Sequence, residues 1–384
     1  MIDMLIQKYD RQLLVYLGVL AVIGTVMLYS ASWYESFSNS NGRTDMLYLQ
    51  GHLKRMLVGV FFLFTFLVLD YRRLKDFAPY FIIVAIMLLI ITKAYYLLNG
   101  YGWYKPARWL YIGSFSIQTS DIARMATIIF IAYYVDKKRA QIKDFQLGLL
   151  PALCVIGIIM GLIVIQPDYS TAIMIGCIGV LILFIGDAKI PHLSFAGASA
   201  LLIGIPVLLS REYRRVRILS YLGIGDSPDI GYQASQSLIS LGNGGILGVG
   251  LGNSIEKNHF LPTPHTDFIF AIIGEELGFV FGTIPVLTLF LLIFFRGLKI
   301  AKECTDPFGV FLAVGISFNL ILYAFVNAAV VTGIFPVTGL PMPMVSYGGS
   351  GMVINMGMIG MLLNISQARR SVGGNRGWSP ALYA

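Results

Sequence analysis

The sequence predicts an all-α fold: a polytopic membrane protein of about ten transmembrane helices, with a large extracytoplasmic loop between spans 7 and 8. Three observations carry this. Asp, Glu, Lys and Arg make up 12% of the 384 residues against 57% hydrophobic ones, too little charge to cover a soluble protein of this size. Apolar runs of about 20 residues recur along the whole length, as a hydrocarbon layer of about 30 Å requires of helices. The runs are continuous rather than alternating, which disfavours a β-barrel.

The first run, Leu13 to Tyr29, follows Lys8 and Arg11 and precedes Ser30-Ala31-Ser32, as a signal peptide would. It exceeds the roughly 7–15 residues of such a segment, so it reads as a retained first span. In order, the spans fall at roughly 12–31, 53–70, 77–96, 117–136, 147–165, 169–186, 190–209, 267–295, 308–331 and 344–366. An even number puts both termini on one side. Loops on that side carry 16 of the 28 Lys and Arg residues, among them Arg72, Arg73, Lys75, Lys137, Lys138, Arg139 and Lys299. The positive-inside rule makes that side the cytoplasm. Segment 210–266 is then extracytoplasmic and large enough to build a site. Residues 1–370 read as one membrane domain and 371–384, Gly-rich, as a flexible cytoplasmic tail. The net charge of +8 fits loop bias and an anionic lipid or substrate, not nucleic acid. Cys154, Cys177 and Cys304 form no disulfide framework and read as packing residues.

Against this apolar background a few charged clusters stand out. In LPTPHTDFIFAIIGEELG, residues 261–278, Pro262 and Pro264 hold an extended approach, Thr266 is a candidate N-cap, and Asp267 falls in the first helical turn. The helix dipole favours an ionised carboxylate there, so simple capping competes with a catalytic role. Ala271, Gly274 and Gly278 follow on the same face, which another helix or a lipid chain could approach. Glu275 and Glu276 are candidates for function or for pairing between helices. Lys105 and Arg108 stand among Trp103, Tyr104, Trp109 and Tyr111, either as an interfacial belt or as ligands. Arg124 lies inside the fourth span, able to pair with Asp121 or to bind phosphate. Asp168 sits where Pro167 breaks a helix, and broken membrane helices must line protein or water. Arg211, Arg214, Arg215 and Arg217 suit an amphipathic surface helix on headgroups. GVGLG at 248–252 lacks the strand and acidic follower of a dinucleotide loop. His259 and His265 lack the further ligands of a metal site.

Four stretches together resemble the SEDS family of shape, elongation, division and sporulation proteins: Gly231–Gly278, IQPD at 165–168, ARWLYIGSFSIQTSDIARMA at 107–126, and VTGLPMPMVSYGGSG at 337–351. Within it, GLGNSIEKNHFLP and GYQASQSL are more similar to the FtsW branch, which serves the division septum, than to the elongation branch, RodA. Thr263 stands where the family usually has Glu, Thr119-Ser120-Asp121 where it has Pro-Ser-Glu, Arg124 where it has Lys, and Tyr169-Ser170 where it has Leu-Gly. The resemblance implies a peptidoglycan glycosyltransferase of the bacterial cytoplasmic (inner) membrane that polymerises lipid II with inversion at MurNAc C1. It implies Asp267 as catalytic residue, and Lys105, Arg108, Arg124, Asp168, Arg217 and His265 as substrate-binding residues. It implies no fixed cofactor while leaving a place for a divalent cation, Mg or Mn. It also implies a class B penicillin-binding transpeptidase and other divisome or elongasome membrane proteins as partners. Gly278, Gly282, Gly315 and Ala324 offer that partner a close approach, or else pack the bundle. A RodA-like elongation role and a lipid II flippase are the alternatives.

Overall fold

The computed structural model describes residues 9–100, 107–113, 115–210, 212–221, 228–258 and 260–368. Helices dominate, and the expected spans fall on them, span 8 on two. They are α1 (Arg11–Asn39), α2 (Leu47–Val68), α3 (Leu74–Leu98), α4 (Thr119–Lys137), α5 (Leu150–Ile165), α6 (Tyr169–Ile185), α7 (Ile190–Leu209), α8 (Glu212–Tyr221), α9 (Pro228–Gly244), α10 (Ile269–Gly278), α11 (Ile284–Glu303), α12 (Pro307–Val331) and α13 (Ser350–Gln367). Seven segments are long and apolar enough to cross a membrane: α1, α2, α3 and α5 with their leading turns, α7, α10–α11 and α12. The helix α6 is apolar but shorter. Asp121 and Arg124 in α4, and Asn355 and Asn364 in α13, lower the hydropathy of those two helices. All four are buried, so they face other helices rather than lipid.

The bundle is layered by contact with lipid. Helix α12 lies at the centre, buried over most of its surface with only Phe325 exposed, and α4 and α13 lie beside it. Helix α7 buries only Leu193 and turns the rest outward. Asp10 ties one end together: it caps Leu13 N at 3.0 Å, pairs with Arg296 Nε at 2.7 Å, and its N–H donates to Ser366 Oγ at 3.2 Å. Thus the Asp10 carboxylate joins α1 to α11, and its backbone N–H adds α13. Cys304 is buried against Tyr71, Oη to Sγ 3.7 Å, whereas Cys154 and Cys177 are exposed; the packing expectation holds for Cys304 alone.

Two features depart from the sequence reading. Two short strands, β1 (Trp109–Ile112) and β2 (Phe115–Gln118), pair antiparallel from Trp109↔Gln118 to Ile112↔Phe115. Span 8 is broken. Helix α10 ends at Gly278, whose φ of +75° suits glycine, and a π-turn over Phe279–Thr283 leads into α11. Segment 245–250 splices this break. Val249 N and Gly250 N donate to the orphan carbonyls of Glu275 and Glu276, both at 2.9 Å; Phe279 N and Val280 N donate to Gly245 O and Ile246 O at 3.0 and 3.1 Å. GVGLG is therefore a splice turn, with Gly248, Gly250 and Gly252 all at positive φ.

Candidate functional site

The loop before α10 sets the first side chain. Helix α10 begins at Ile269 with Phe268 at its cap position and no capping side chain. Thr266 is therefore not the N-cap, and Asp267 lies in a turn ahead of the helix, not in its first turn. The backbone takes over the holding role: Asn327 Nδ2, from α12, donates to Asp267 O at 2.8 Å and to Leu340 O at 2.8 Å. A Cβ built on Gly339 would stand 3.4 Å from Asp267 Oδ2, so that glycine lets the chain lie against the carboxylate.

The cationic side is built by α4 and the α5–α6 break. Arg124, 1% exposed, donates to Asp121 Oδ1, Asn319 Oδ1 and Asn355 Oδ1, each at 3.2 Å, and lies 4.4 Å over the Tyr323 ring. Asp121 accepts from Ser350 Oγ at 2.8 Å. Both readings of Arg124 are thus compatible: it pairs with Asp121 and also lines a cavity. Asp168 accepts from Gln118 Nε2 at 3.1 Å, Ser120 Oγ at 3.2 Å and Thr171 Oγ1 at 2.9 Å. Arg108 donates to Pro167 O and comes within 3.8 Å of Asp168 Oδ1. The β1–β2 hairpin brings Arg108 and Gln118 side by side at its open end, where Thr119 N donates to Arg108 O at 3.3 Å, so both reach Asp168.

One cavity of about 260 Å³ brings these together: Asp267 on one wall, Arg108, Gln118, Asp121, Arg124 and Asp168 on the other, with Tyr323 and the loop from Gly339 to Gly349 between them. A carboxylate facing guanidinium groups across a small cavity can take a proton from one end of a substrate and hold an anionic group at the other.

The other expected residues go elsewhere. His265 is buried away from the cavity lining. Its Nδ1 is 3.1 Å from Glu35 Oε2, and its ring packs on Tyr48 and Tyr347 at centroid distances of 4.3 and 5.6 Å. It anchors the Asp267 loop to α1 and α2. Arg217 lies on α8, as the surface-helix reading expects, with its side chain outside the described residues, as are Lys105 and His259. Glu275 accepts from Ser240 Oγ, Ser254 Oγ and Ile255 N at 2.9, 2.6 and 3.0 Å. Glu276 pairs with Lys257 Nζ at 2.7 Å and accepts from Ser30 Oγ. Both carboxylates pin segment 245–257 to α10, so the pairing reading holds. The bare face of α10 is covered by this same chain: a Cβ on Gly274 would meet Leu241, and one on Gly278 would meet Gly248 N at 2.3 Å. Gly282, Gly315 and Ala324 are likewise covered by Ile273, by Ile128 and Ile182, and by the core, so all four small residues pack the bundle. Sequence reasoning missed Asn319, Tyr323 and Asn327, which stand at four-residue spacing on one face of α12. Neutral polar residues at that period inside an apolar run were the available signal.

A family model described as a cell cycle protein, FTSW_RODA_SPOVE, matches residues 11–371. The chain is 35% identical to the probable peptidoglycan glycosyltransferase FtsW of Geobacter sulfurreducens over 364 residues, 94% of this chain and 96% of that one. It is 36% identical to the stage V sporulation protein E of Bacillus subtilis over 368 residues, 94% of this chain and 98% of that one. Among solved structures, the crystal structure of the Thermus thermophilus rod shape determining protein RodA superposes with a TM-score of 0.68 at 22% identity, covering 94% of this chain and 98% of that one. A chain of a peptidoglycan synthase complex that coordinates polymerization and crosslinking superposes with a TM-score of 0.74 at 24% identity, covering 93% and 97%. These two establish the fold.

Proposed function

This chain belongs to the FtsW, RodA and SpoVE family of cell cycle proteins, and on that footing we propose that it is a peptidoglycan glycosyltransferase that polymerises lipid II for the division septum. The single observation that carries the chemistry is the shared cavity, with Asp267 opposite Arg108 and Arg124. The acceptor's GlcNAc 4-hydroxyl attacks MurNAc C1 of the growing chain. Its proton passes to Asp267, the C1–O bond breaks, and undecaprenyl diphosphate leaves with the electron pair, stabilised by the guanidinium groups. Attack opposite the α-linked leaving group gives a β-1,4 bond. Asp168 acts through Arg108, and Asp121 through Arg124, holding each guanidinium in place; each pair offsets part of the charge but leaves an Nε–H with no partner among the described residues, open to the diphosphate.

Among the described residues no three His, Cys, Asp or Glu side chains converge as a metal site, and Asp121 and Asp168 are engaged by their own partners. The donors do not fit a divalent cation held by protein alone, so no step runs through one. The Lys and Arg bias supports a topology with both termini in the cytoplasm and the cavity toward the outer face, and the glycosyltransferase reading supports the bacterial inner membrane.

The partner is a transpeptidase with one membrane helix. Its seat is not the buried glycines but an apolar groove of about 700 Å³ between α9, α10–α11 and α12, walled by Phe270, Phe279, Leu287, Phe325 and Ala329. The test is polymerisation of labelled lipid II by the purified chain, alone and with its cognate transpeptidase. Glycan strands that disappear in Asp267→Asn support the reading. Transfer of lipid II across vesicles without polymer would make the protein a flippase instead.

A further inference from the structure

We propose that Asn327 is a positioning residue, and that the stripe Asn319–Tyr323–Asn327 on α12 is a ruler that fixes the catalytic carboxylate relative to the diphosphate-binding guanidinium. The inference rests on the glycosyltransferase reading and deepens it. Asn327 is 1% exposed, at the heart of an apolar helix where leucine would pack with less penalty. Its two amide hydrogens go to two carbonyls, those of Asp267 and Leu340, both at 2.8 Å. Two carbonyl acceptors require the NH₂ end there, which leaves Oδ1 with no partner among the described residues. The amide is thus retained for donation alone, to two loops far apart in sequence that lie side by side and both line the cavity.

The same helix face governs the opposite end. Four residues back, the Tyr323 ring lies 4.4 Å beneath the Arg124 guanidinium. Eight back, Asn319 Oδ1 accepts from Arg124 Nη1 at 3.2 Å. Two helical turns separate Asn319 from Asn327, about 12 Å of axial rise. The reaction requires a similar span. Base to hydroxyl, hydroxyl to C1 and phosphate oxygen to guanidinium take about 3 Å each, on the order of 10 Å with the bridging bonds. A helix, unlike two loops, holds such a spacing without drift.

The experiment uses the full chain with its cognate transpeptidase and lipid II. Asn327→Leu removes both donors; Asn327→Asp keeps the shape but turns acceptors toward two carbonyls; Asn327→Ser keeps one shorter donor and guards against a variant that does not fold. The expected result is a fall in kcat on the order of 100-fold for Leu and Asp, less for Ser, with KM for lipid II little changed, since misplacement by about 1 Å acts on the transition state. A control is Asn364→Leu, a buried asparagine whose Nδ2 donates to Leu67 O remote from the cavity; it lowers stability and leaves kcat of the folded protein intact. Hydrogen exchange supplies a readout independent of turnover: amides at 262–268 and 338–345 exchange faster in Asn327→Leu, and those of α4 do not. Unchanged kcat, a rise in KM alone, or unchanged exchange in both loops overturns the proposal. If the wild type itself makes no polymer, the glycosyltransferase reading falls, and the exchange result still decides whether Asn327 holds the two loops.

Discussion

Asp267 has to accept a proton and to stand still while doing so, and different atoms serve the two needs. Its carboxylate faces the cavity, while its carbonyl is held by Asn327. Asp267→Asn keeps the backbone contact and removes the base, so polymerisation should fall by roughly 10²–10⁴-fold while thermal unfolding in detergent is unchanged; a variant that keeps wild-type rates would remove Asp267 from catalysis. Arg124 is buried with Asp121, and deleting it leaves an unpaired carboxylate, a loss of about 3–5 kcal/mol. Arg124→Ala should therefore lose stability and substrate use together, and Arg124→Lys less of both; equal KM for Ala and Lys would reduce Arg124 to a structural partner. Outside the spans, burial and then the nearby Glu275 push the Glu256 carboxyl above the usual range. A raised folded-state pKa means the folded chain binds this proton more tightly than the unfolded chain, so stability falls as pH rises through it. Glu256→Gln should be more stable than wild type at neutral pH, and the gap should close as pH drops below the ordinary glutamate range; a gap that persists in acid would refute the linkage. The charged members of the site, Asp267, Arg124, Arg108 and Asp168, were legible in the sequence because a charge in an apolar chain requires a reason. Asn319, Tyr323 and Asn327 are passed over by that criterion because they carry no charge and α12 stays strongly apolar around them, although their four-residue spacing on one face is there to be read.

At the level of elements, the break in span 8 positions everything downstream of it. An α-helix that stops at Gly278 leaves carbonyls without partners, and segment 245–250 supplies them while accepting from the next helix. The glycines are required by contact as well as by φ: a Cβ at Gly278 would stand 2.3 Å from Gly248 N, and one at Gly248 2.3 Å from Glu276 O. Gly278→Ala should thus be among the most destabilising single changes in the chain, read as a lowered unfolding temperature and poor membrane accumulation; a neutral result would mean that the splice can open without loss. The same segment is locked by Lys257 to Glu276 at 2.7 Å, with both side chains buried. Lys257→Met alone should cost about 3–5 kcal/mol, and adding Glu276→Gln should recover most of it, because the penalty lies in the orphaned charge; a double variant no better than the single would refute that account. The sequence disclosed the helices, whose apolar runs are long, but not this break, since the run passes through Phe279–Thr283 without interruption. Nor did it disclose the splice partners, which lie some thirty residues away. The hairpin was readable in hindsight, as Trp-Leu-Tyr-Ile and Phe-Ser-Ile-Gln flank a turn opened by Gly113 at φ +62°.

On the scale of the whole molecule, polarity is arranged from the centre outward: α12, α4 and α13 carry the buried asparagines and the Asp121–Arg124 pair, and the lipid-facing helices carry almost none. The apolar spans followed from that outer shell, whereas the packing order of the centre depends on contacts between distant segments and could not be read from periodicity. The arrangement also decides where a partner helix can sit. Glycines 278, 282 and 315 look like docking positions in sequence, but each is filled from within, so a bulky residue at Gly315 would strike Ile128 and Ile182 and damage the bundle itself. The groove beside α11 and α12 is different. It is open, its walls include the exposed Phe279 and Phe325, and its floor includes the half-buried Ala329, so an added ring there meets a vacant space instead of a core. Membrane helices associate by close packing rather than by the hydrophobic effect, so filling the groove should remove most of the contact. Ala329→Phe should therefore leave the basal polymerisation of the isolated chain intact and reduce the rise in rate produced by the cognate transpeptidase, with co-purification of the two chains falling in parallel. Full stimulation and unchanged co-purification in that variant would place the partner on another face of the bundle.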